Sequence, residues 1–357
     1  MVIRCFSSDV SLATDPAPRR LVSSFPQFRS PAVRVSGASP GHLLHEVSTD
    51  CSWLAAACKQ YNFLMEETPQ DDGLGAFFGV RPRLFGIAYR MLGSAAEADD
   101  LVQDVWMRWQ STDRKAVQDA PAYLATITTR LAVNVVQSAR SRREAYFGIW
   151  LPEPVDTSAD PGLGAQRGEA LEFAVLLLLE RLAPTERAAY ILREAFDYPY
   201  DEIGEILKVS EANARQLVTR ARKHIAEGRR RRVDAVEQRR LLDTFIAAAQ
   251  KGELAPLEAL FASDVVSWSD GGGLVRAAGK PITGRERVAR FISAVATHFW
   301  RGVTVSMVDA NGQGCALISR DGAVVALVTV GASEEGIDQI MWMLRPSKLA
   351  GVVPPLT

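Results

Sequence analysis

The sequence predicts a multidomain protein in which two all-α domains precede an α+β domain. Apolar residues recur at helical spacing over two blocks, 74–143 and 169–227. After residue 260, short apolar runs are instead separated by Asn-Gly and Asp-Gly dipeptides, which are typical of tight turns between antiparallel strands. The chain has 357 residues, 47% of them hydrophobic, and this is enough for about two or three separate cores.

Composition excludes several classes of protein. The longest apolar run, 173–179, is far shorter than the ~18 residues that a membrane helix needs, so it is predicted to be a buried helix and no membrane contact is expected. The four cysteines form no CxxC pair and have no histidine spacing of a zinc site. We therefore expect reduced thiols, a cytoplasmic location, no metal and no cofactor.

The segment 1–72 has no predicted fold. It mixes Ser, Pro, Arg and Gly without sustained periodicity, and it lacks the continuous apolar core of a signal peptide. We expect a disordered extension. The alternative is a mis-assigned start, with translation beginning at Met65, because a folded pattern follows soon after that residue.

The first helical domain is assigned to residues 73–145. Gly93 breaks its first helix, Ser94 is placed to cap the second, and carboxylates follow in the first turn, where they favour the helix dipole. A polar loop at 111–121 then leads into a third helix, which the pattern places at 122–143.

The remaining boundaries follow from composition. Prolines and glycines prevent a continuous helix after residue 146, so 146–168 is assigned as a linker between domains. The second helical domain is assigned to 169–232 and the α+β domain to 233–345, with 346–357 as a tail. The α+β domain is expected to begin with a helix over 241–251.

The second helical domain contains a predicted helix-turn-helix. Two short amphipathic helices, separated by Val209-Ser210, share one apolar stripe, and the segment 208–232 carries nine basic and two acidic side chains although the net charge is only -1. Because turn, stripe and charge coincide, we predict DNA binding rather than a solvated basic face, with the arginines at 229–232 against phosphates. Side chains that can read bases or contact phosphates lie on or beside the second helix: Glu211, Asn213, Arg215, Gln216, Thr219, Arg220, Arg222 and Lys223.

An acidic ridge lies on the second helix of the first domain, where Glu97, Asp100 and Asp104 recur at helical spacing. Carboxylates cannot face phosphates in a DNA-binding protein, so the ridge suits a basic protein partner, although ordinary surface acids would look the same. The third helix of this domain carries a polar and basic surface instead.

Two segments resemble regions of the extracytoplasmic-function sigma factors of bacterial RNA polymerase. Region 2 is similar to "RPRLFGIAYRMLGSAAEADDLVQDVWMRW", and region 4 is similar to "LERLAPTERAAYILREAFDYPYDEIGEILKVSEANARQLVTRARKHI", in the same order and at a matching separation. The "WLPEP" at 150–154 and the "DGGG" at 270–273 resemble the subgroup with a fused SnoaL-like (NTF2-like) extension. The resemblance covers roughly residues 74–349.

The resemblance implies a non-enzymatic promoter-specificity subunit whose partners are core RNA polymerase and promoter DNA. Four residues would face the clamp helices of the largest polymerase subunit: Asp99, Asp100, Gln103 and Asp104. The third helix, with the loop before it, would recognise and help open the −10 element: Arg130, Asn134, Gln137, Arg140, Arg142 and Arg143. The helix after Ser210 would read the −35 element as duplex DNA.

The fused extension, by the same resemblance, is an NTF2-like cone whose pocket a small ligand could occupy. We expect "WLPEP", "DGGG" and the "RPSKL" at 345–349 to meet, so that the extension acts as an intramolecular regulator and an anti-sigma factor is not required. The regulatory contacts are assigned to Trp150, Leu151, Pro152, Glu153, Pro154, Asp270, Gly271, Gly272, Gly273 and Lys348. Two departures concern this docking: Leu274 stands where the subgroup has Lys, and "RPSKL" replaces the family's Asn-Pro-Asp-Lys-Leu.

Some relatives of the extension are enzymes, and its acid–base candidates are Asp243, Asp264, Asp270 and His298. Asp264 and Asp270 are equally well explained as caps and turn formers, and no pairing tunes one carboxylate against another. We therefore predict no catalytic residue. The alternative function is a conventional helix-turn-helix transcription regulator with a ligand-binding or enzymatic SnoaL-like domain.

Overall fold

The structure is a computed structural model that describes residues 73–144, 148–156, 172–228, 231–350 and 352. The expectations for residues 1–72 and for most of the linker therefore lie outside the described residues. None of the described helices is long and apolar enough to cross a bilayer.

The first helical block has the predicted order of elements. It consists of α1 (Leu74–Leu92), α2 (Ala95–Gln110), a 3-10 turn (Arg114–Ala116) and α3 (Ala120–Glu144). Gly93 ends α1 in the left-handed conformation at φ +65°, which glycine adopts at little cost. The Ser94 hydroxyl then accepts from the Glu97 amide at 3.1 Å, so the predicted break and cap are both confirmed.

The second helical block contains the predicted helix-turn-helix. Its helices are α4 (Phe173–Leu179), α5 (Pro184–Phe196), α6 (Tyr200–Leu207) and α7 (Glu211–Gly228). The turn between α6 and α7 brings the Val209 carbonyl to within 2.8 Å of where a Cβ on Gly204 would lie, so glycine is required there. The Ser210 hydroxyl accepts from the Asn213 amide at 3.2 Å and caps α7.

The two helical blocks share one hydrophobic core. The core runs from Phe77 in α1 through Leu124 in α3 to Val218 and Ile225 in α7. The sequence predicts two separate helical domains joined by a linker. In this structure they are packed together, because the buried faces of α1 and α3 contact the second block as well as each other.

The C-terminal domain consists of helices on a six-stranded sheet. The helices are α8 (Ala235–Lys251), α9 (Leu254–Leu260), α10 (Arg285–Phe299) and α11 (Pro346–Leu349); the strands are β1 (Phe261–Asp270), β2 (Ile282–Thr283), β3 (Val303–Ala310), β4 (Gln313–Arg320), β5 (Ala323–Ser333) and β6 (Gly336–Met343). The strand order is β2-β1-β6-β5-β4-β3, with β1 and β6 parallel and the other neighbours antiparallel. This arrangement agrees with the predicted α+β, NTF2-like architecture.

In this domain the predicted hairpin turns agree with the structure, whereas the start of the first helix and the C-terminal boundary do not. Asn311-Gly312 and Asp321-Gly322 are two-residue hairpin turns with positive φ at all four residues, as predicted. However, α8 begins at Ala235 rather than Leu241, because Asp234 accepts from the Glu237 amide at 2.8 Å and caps the helix earlier. The packed chain also extends past residue 345, since Lys348 of α11 is buried.

Both faces of the sheet are covered. Helices α8 and α10 pack on one face, around Phe245, Ile292 and Trp342. On the opposite face, Leu317 and Met343 pack against Leu151 of the linker and Phe173 of α4. The C-terminal domain is therefore joined to the linker and to the second helical block through a buried apolar surface.

Candidate functional site

The first candidate surface is acidic and lies on α2. Asp100, Gln103 and Asp104 are exposed, and Asp99 is exposed but paired with Arg81 across a 3.1 Å contact. Spacing of three and four residues places Asp100, Gln103 and Asp104 on neighbouring turns of one helix face. The structure therefore brings the predicted polymerase-facing residues together on one surface.

A groove of about 380 Å³, lined by both aromatic and charged side chains, adjoins these carboxylates between α1 and α2. It is lined by Phe77, Phe78 and Trp106 together with Asp99 and Gln103. Phe78 is 59% exposed, which is unusual for a large aromatic side chain. Exposed aromatic groups rimmed by charges are typical of protein-binding surfaces, so this combination fits a protein partner better than either feature alone.

The second candidate surface, on α3, is only partly available. Asn134 and Gln137 are exposed, as a nucleic-acid contact requires, whereas the side chains of Arg140, Arg142 and Arg143 lie outside the described residues. Arg130 is engaged elsewhere: its guanidinium donates to the carbonyls of Ile206 and Glu205, at 2.8 and 2.9 Å, at the C-terminal end of α6. In this conformation a residue predicted to bind the −10 element instead caps the first helix of the helix-turn-helix.

The third candidate surface is the recognition helix α7. Of the predicted DNA-contacting side chains, Asn213 is half-buried and the others are exposed: Glu211, Arg215, Gln216, Thr219, Arg220, Arg222 and Lys223. Arg215 is held by Glu211 at 2.8 Å and lies over the Tyr200 ring. Arg222 is held by Glu194 at 2.7 Å.

The arginines after α7 do not form one free basic cluster. Arg229 and Arg230 lie outside the described residues, and Arg231 contacts Glu334 at 3.6 Å. Arg232 donates to the Gln339 side chain of β6 at 3.2 Å. The expectation that all four contact phosphates needs correction for Arg232, since this half-buried side chain packs on the C-terminal domain.

A buried ion pair lies where the three regulatory segments meet. Lys348 and Asp270 are 4% and 0% exposed, and Nζ of Lys348 lies 2.8 Å from Oδ2 of Asp270. The same ammonium donates to the Leu151 carbonyl, while the Leu151 amide donates to Asp270 at 2.9 Å. We call Asp270, Lys348 and the backbone of Leu151 the linker latch. Burial lowers the pKa of Lys348, and the charge of Asp270 opposes that shift.

The Gly-rich turn after Asp270 shapes the latch. The Gly272 amide donates to Asp270 at 3.1 Å, so the aspartate is a turn former as well as a latch residue. A Cβ on Gly271 would lie 2.2 Å from the Val275 carbonyl, so only glycine fits there. Leu274 is 75% exposed and does not belong to the latch, so its departure from the subgroup leaves these contacts intact.

The linker also contacts the first helical block. Trp150 packs on Gly93, where a Cβ would lie 2.6 Å from the indole. The Lys348 ammonium also lies 4.3 Å from the centre of this ring. The Glu153 amide donates to the Gly93 carbonyl at 2.8 Å, and its side chain accepts from the Ala96 amide at the start of α2. The "WLPEP" segment therefore lies between the first helical block and the C-terminal domain.

A second docking point was not predicted from the sequence. The Tyr89 hydroxyl donates to the Glu153 carbonyl and accepts from the Asn311 side chain, both at 2.6 Å. Asn311 is fully buried at the β3–β4 turn and also pairs with Val155 through its backbone amide and its side chain. The Asn-Gly dipeptide predicts the turn, but it does not indicate that Asn311 is buried or which residues bury it.

Buried arginines join the two helical blocks. Arg187 of α5 is 1% exposed and donates to the Met91 carbonyl at 2.6 Å and to Glu180 at 2.9 Å. Arg90 of α1 lies over the Phe196 ring with 5.1 Å between its guanidinium carbon and the ring centre. Sequence reasoning missed both residues because their spacing matches that of ordinary surface cations.

The acid–base candidates of the C-terminal domain are dispersed. Asp243 and Asp264 are exposed, Asp270 belongs to the latch, and His298 lines a cavity between α10 and the sheet. Among the residues that the structure describes, no three metal-ligating side chains cluster. The structure thus brings together the latch residues but not an acid–base pair.

Comparisons with known proteins agree with this layout. Residues 79–142 match the family model "Sigma-70 region 2" and residues 172–225 match "Sigma-70, region 4". The chain is 36% identical over 232 residues to the ECF RNA polymerase sigma factor SigJ of Mycobacterium tuberculosis, a match that covers 64% of this chain and 74% of the relative. It is 28% identical over 274 residues to the probable ECF RNA polymerase sigma factor SigI of the same species, covering 75% and 92%. The crystal structure of SigJ superposes with a TM-score of 0.63 at 29% identity, over 80% of this chain and all of SigJ.

Proposed function

The chain belongs to the ECF RNA polymerase sigma factors, and from this we propose that its C-terminal domain holds the two sigma regions in a closed resting state. As a sigma factor it binds core RNA polymerase and directs promoter recognition; sigma factors are not enzymes. The alternative, a conventional helix-turn-helix regulator, is set aside because both sigma-70 regions 2 and 4 match in order.

The contact between Arg130 and α6 is the observation that supports a closed state of the two sigma regions. Arg130 lies on the helix assigned to the −10 element, and it bonds directly to the module assigned to the −35 element. In a promoter these elements are about 25 base pairs apart, or about 85 Å at about 3.4 Å per pair. Two modules that share one core cannot reach both elements at once, so they must separate before the promoter is bound.

The assigned surfaces keep their proposed roles in the open state. The acidic face of α2, with Asp99, Asp100, Gln103 and Asp104, docks on core polymerase. The exposure of these residues and the adjoining groove with its aromatic side chains support this. Asn134 and Gln137, with the basic end of α3, recognise the −10 element, and Arg130 joins them once it is released from α6. The exposed face of α7 reads the −35 element.

The linker latch and the Tyr89–Asn311 contact are the proposed regulatory elements. Both join the C-terminal domain to the linker, and the linker to region 2, through buried hydrogen bonds. Because the restraint is part of the chain, a separate anti-sigma factor is not required. These contacts support a regulatory role for the C-terminal domain.

The double variant Asp270→Asn/Lys348→Met tests this function. Replacing both charges by neutral groups of similar shape loosens the latch without leaving one ion buried alone. We expect the variant to bind core polymerase more tightly and to reach half-maximal run-off transcription at a lower concentration, because a larger fraction of the protein is open.

The matched control is Lys280→Met, which removes an exposed lysine of the same domain. It should bind and transcribe like the parent protein. If the folded double variant behaves like this control, the latch does not restrain the sigma regions and the regulatory proposal is wrong, whereas the sigma-factor activity itself is measured independently by the parent protein.

A further inference from the structure

We propose that the cavity between α10 and the sheet binds a small organic anion with an aromatic ring system. The cavity has a volume of about 780 Å³, a size suited to a small molecule. It is formed by α10, by β6, by the loop 275–278 and by the residues that lead into α11. None of the three sigma surfaces uses it.

The apolar part of the cavity wall contains three aromatic rings that pack on one another. Trp342 meets Phe299 and Trp300 with centroid distances of 5.5 and 6.4 Å, at interplanar angles of 88° and 61°. All three rings line the cavity, and a further aromatic group packs favourably against such a wall. The indole of Trp342 is 7% exposed, and its Nε1 donor has no hydrogen-bond partner among the described residues. A buried donor without a partner at a cavity wall favours a ligand that carries an acceptor oxygen.

The charged groups of the cavity wall are two arginines, Arg276 and Arg320, and His298 lies beside them. No carboxylate is among the described residues of this wall. One Nη of Arg320 donates to the Phe299 carbonyl at 2.7 Å. Its Nε is buried and has no hydrogen-bond partner among the described residues. Because a cation in an apolar cavity is best satisfied by an opposite charge, a carboxylate is the acceptor that this site fits.

The wall of the cavity includes residues from the two segments that carry Asp270 and Lys348 of the linker latch. The loop 275–278 follows the Gly-rich turn of Asp270, and the Leu344 amide donates to the Asp270 carbonyl at 2.9 Å. Pro346, also in the wall, begins the helix that carries Lys348. An occupant therefore contacts the segments that position Asp270 and Lys348. A consequence for polymerase binding rests on the proposed function, whereas ligand binding itself does not.

Calorimetric titration of the full-length protein with 2-naphthoate tests the site, with 2-naphthalenemethanol as the same ring without the charge. The variant Val295→Trp fills the cavity from α10, where Val295 lines the wall and is 37% exposed, so that the larger side chain is tolerated. Val236→Trp is the control: it makes the same change at an exposed residue of α8 that does not line the cavity. We expect saturable binding of 2-naphthoate, weaker binding of the alcohol, at least about tenfold loss in Val295→Trp, and a change within about twofold in Val236→Trp.

Equal binding by both tryptophan variants, or no saturable binding by the parent, overturns the proposal. The variant Trp342→Phe keeps a ring and removes the indole donor, so it should weaken 2-naphthoate more than the alcohol even if Val295→Trp does not fold. By reciprocity, opening the latch with Asp270→Asn/Lys348→Met must change the affinity for 2-naphthoate if the two sites are coupled. An unchanged affinity refutes the coupling. Since no polymerase is present, failure of binding leaves the sigma-factor function untouched.

Discussion

Lys348 and Asp270 form a buried contact in which three segments of the chain meet. A buried ion pair is tolerated when hydrogen bonds satisfy both charges, and it contributes specificity more than stability. Here the Asp270 carboxylate accepts from the Leu151 and Gly272 amides and from Lys348, so three segments must be in place together. Any arrangement that moves the linker away leaves two charges without one of their partners.

The pH dependence of stability can test the second docking point, because Tyr89 is titratable and buried there. Burial raises the pKa of Tyr89 above its ordinary value of 10.0. A raised pKa means that its contribution to stability is complete below pH 10.0 and is lost as the pH rises through the folded-state pKa, when the donor to Glu153 is removed.

We expect Tyr89→Phe to lower the free energy of unfolding by about 1–3 kcal/mol at neutral pH, because the buried Asn311 amide loses its acceptor. Above pH 10.0 the variant should lose less further stability than the parent, since it has no phenol to ionise there. Denaturant titrations at several pH values measure both effects. Tyr123→Phe, at a half-buried tyrosine of the same region, is the control. A Tyr89→Phe protein as sensitive to alkali as the parent would contradict this role.

At the scale of elements, α2 and α7 each present one exposed face whose chemistry suits a different partner. The face of α2 is acidic and adjoins an aromatic groove, which favours a protein. The face of α7 carries arginines, amides and hydroxyls, which favour bases and phosphates. The two helices have similar apolar stripes, so it is the outward residues that separate their functions.

The double variant Asp100→Lys/Asp104→Lys should lose binding to core polymerase, because it reverses the charge that meets the basic partner surface. Surface plasmon resonance with immobilised core polymerase measures the loss, which should diminish at high salt as screening increases. Asp243→Lys/Asp264→Lys changes the same number of exposed charges on the C-terminal domain. If this control loses as much affinity, the effect comes from net charge and not from α2.

Arg220→Ala should weaken the preference for the cognate −35 element by about 1–3 kcal/mol, the range expected for a side chain that reads one base pair. Transcription by the holoenzyme from promoters with single −35 substitutions measures this preference. Arg220→Lys keeps the charge but not the planar fork, so it should retain affinity and lose part of the selectivity. A uniform loss at every promoter would instead assign Arg220 to phosphate contact.

At the scale of the whole molecule, the proposed closed state is stabilised by a shared core, and on that proposal promoter binding requires the core to open. The core continues from Phe77 to Ile225 without a boundary between regions 2 and 4. On the same proposal, core polymerase supplies the binding free energy that separates these buried surfaces, and the equilibrium between closed and open states is the point of control.

Energy transfer between dyes at Gln110 and Glu227 measures this opening, in a protein in which Cys5, Cys51 and Cys58 are changed to Ser so that the new cysteines are labelled selectively. Both positions are exposed, one on region 2 and one on region 4. We expect the distance to rise by tens of ångströms, towards about 85 Å, when core polymerase and promoter DNA are added. A dye pair at Asp243 and Asp321 within the C-terminal domain should not change. A constant distance for the first pair would show that the modules do not separate.

Local patterns made much of this molecule predictable. The break at Gly93, the cap at Ser94, the turn before α7 and the Asn-Gly and Asp-Gly hairpins depend on φ angles and hydrogen bonds between residues close in the chain, and such signals are present in the sequence itself. The outward residues of α2 and α7 follow from helical periodicity for the same reason.

The amino-acid pattern alone was enough to predict the order of the helical and sheet-containing parts, the hairpins and the family. The contact of Arg130 with α6, the burial of Arg187 and Asn311, and the pairing of Lys348 with Asp270 became visible only in the folded chain. These contacts join residues that are distant in the chain, and the spacing of a charged residue is the same whether it faces water or a partner domain. A periodic pattern reports which side of an element is buried, but it does not identify the surface that buries it.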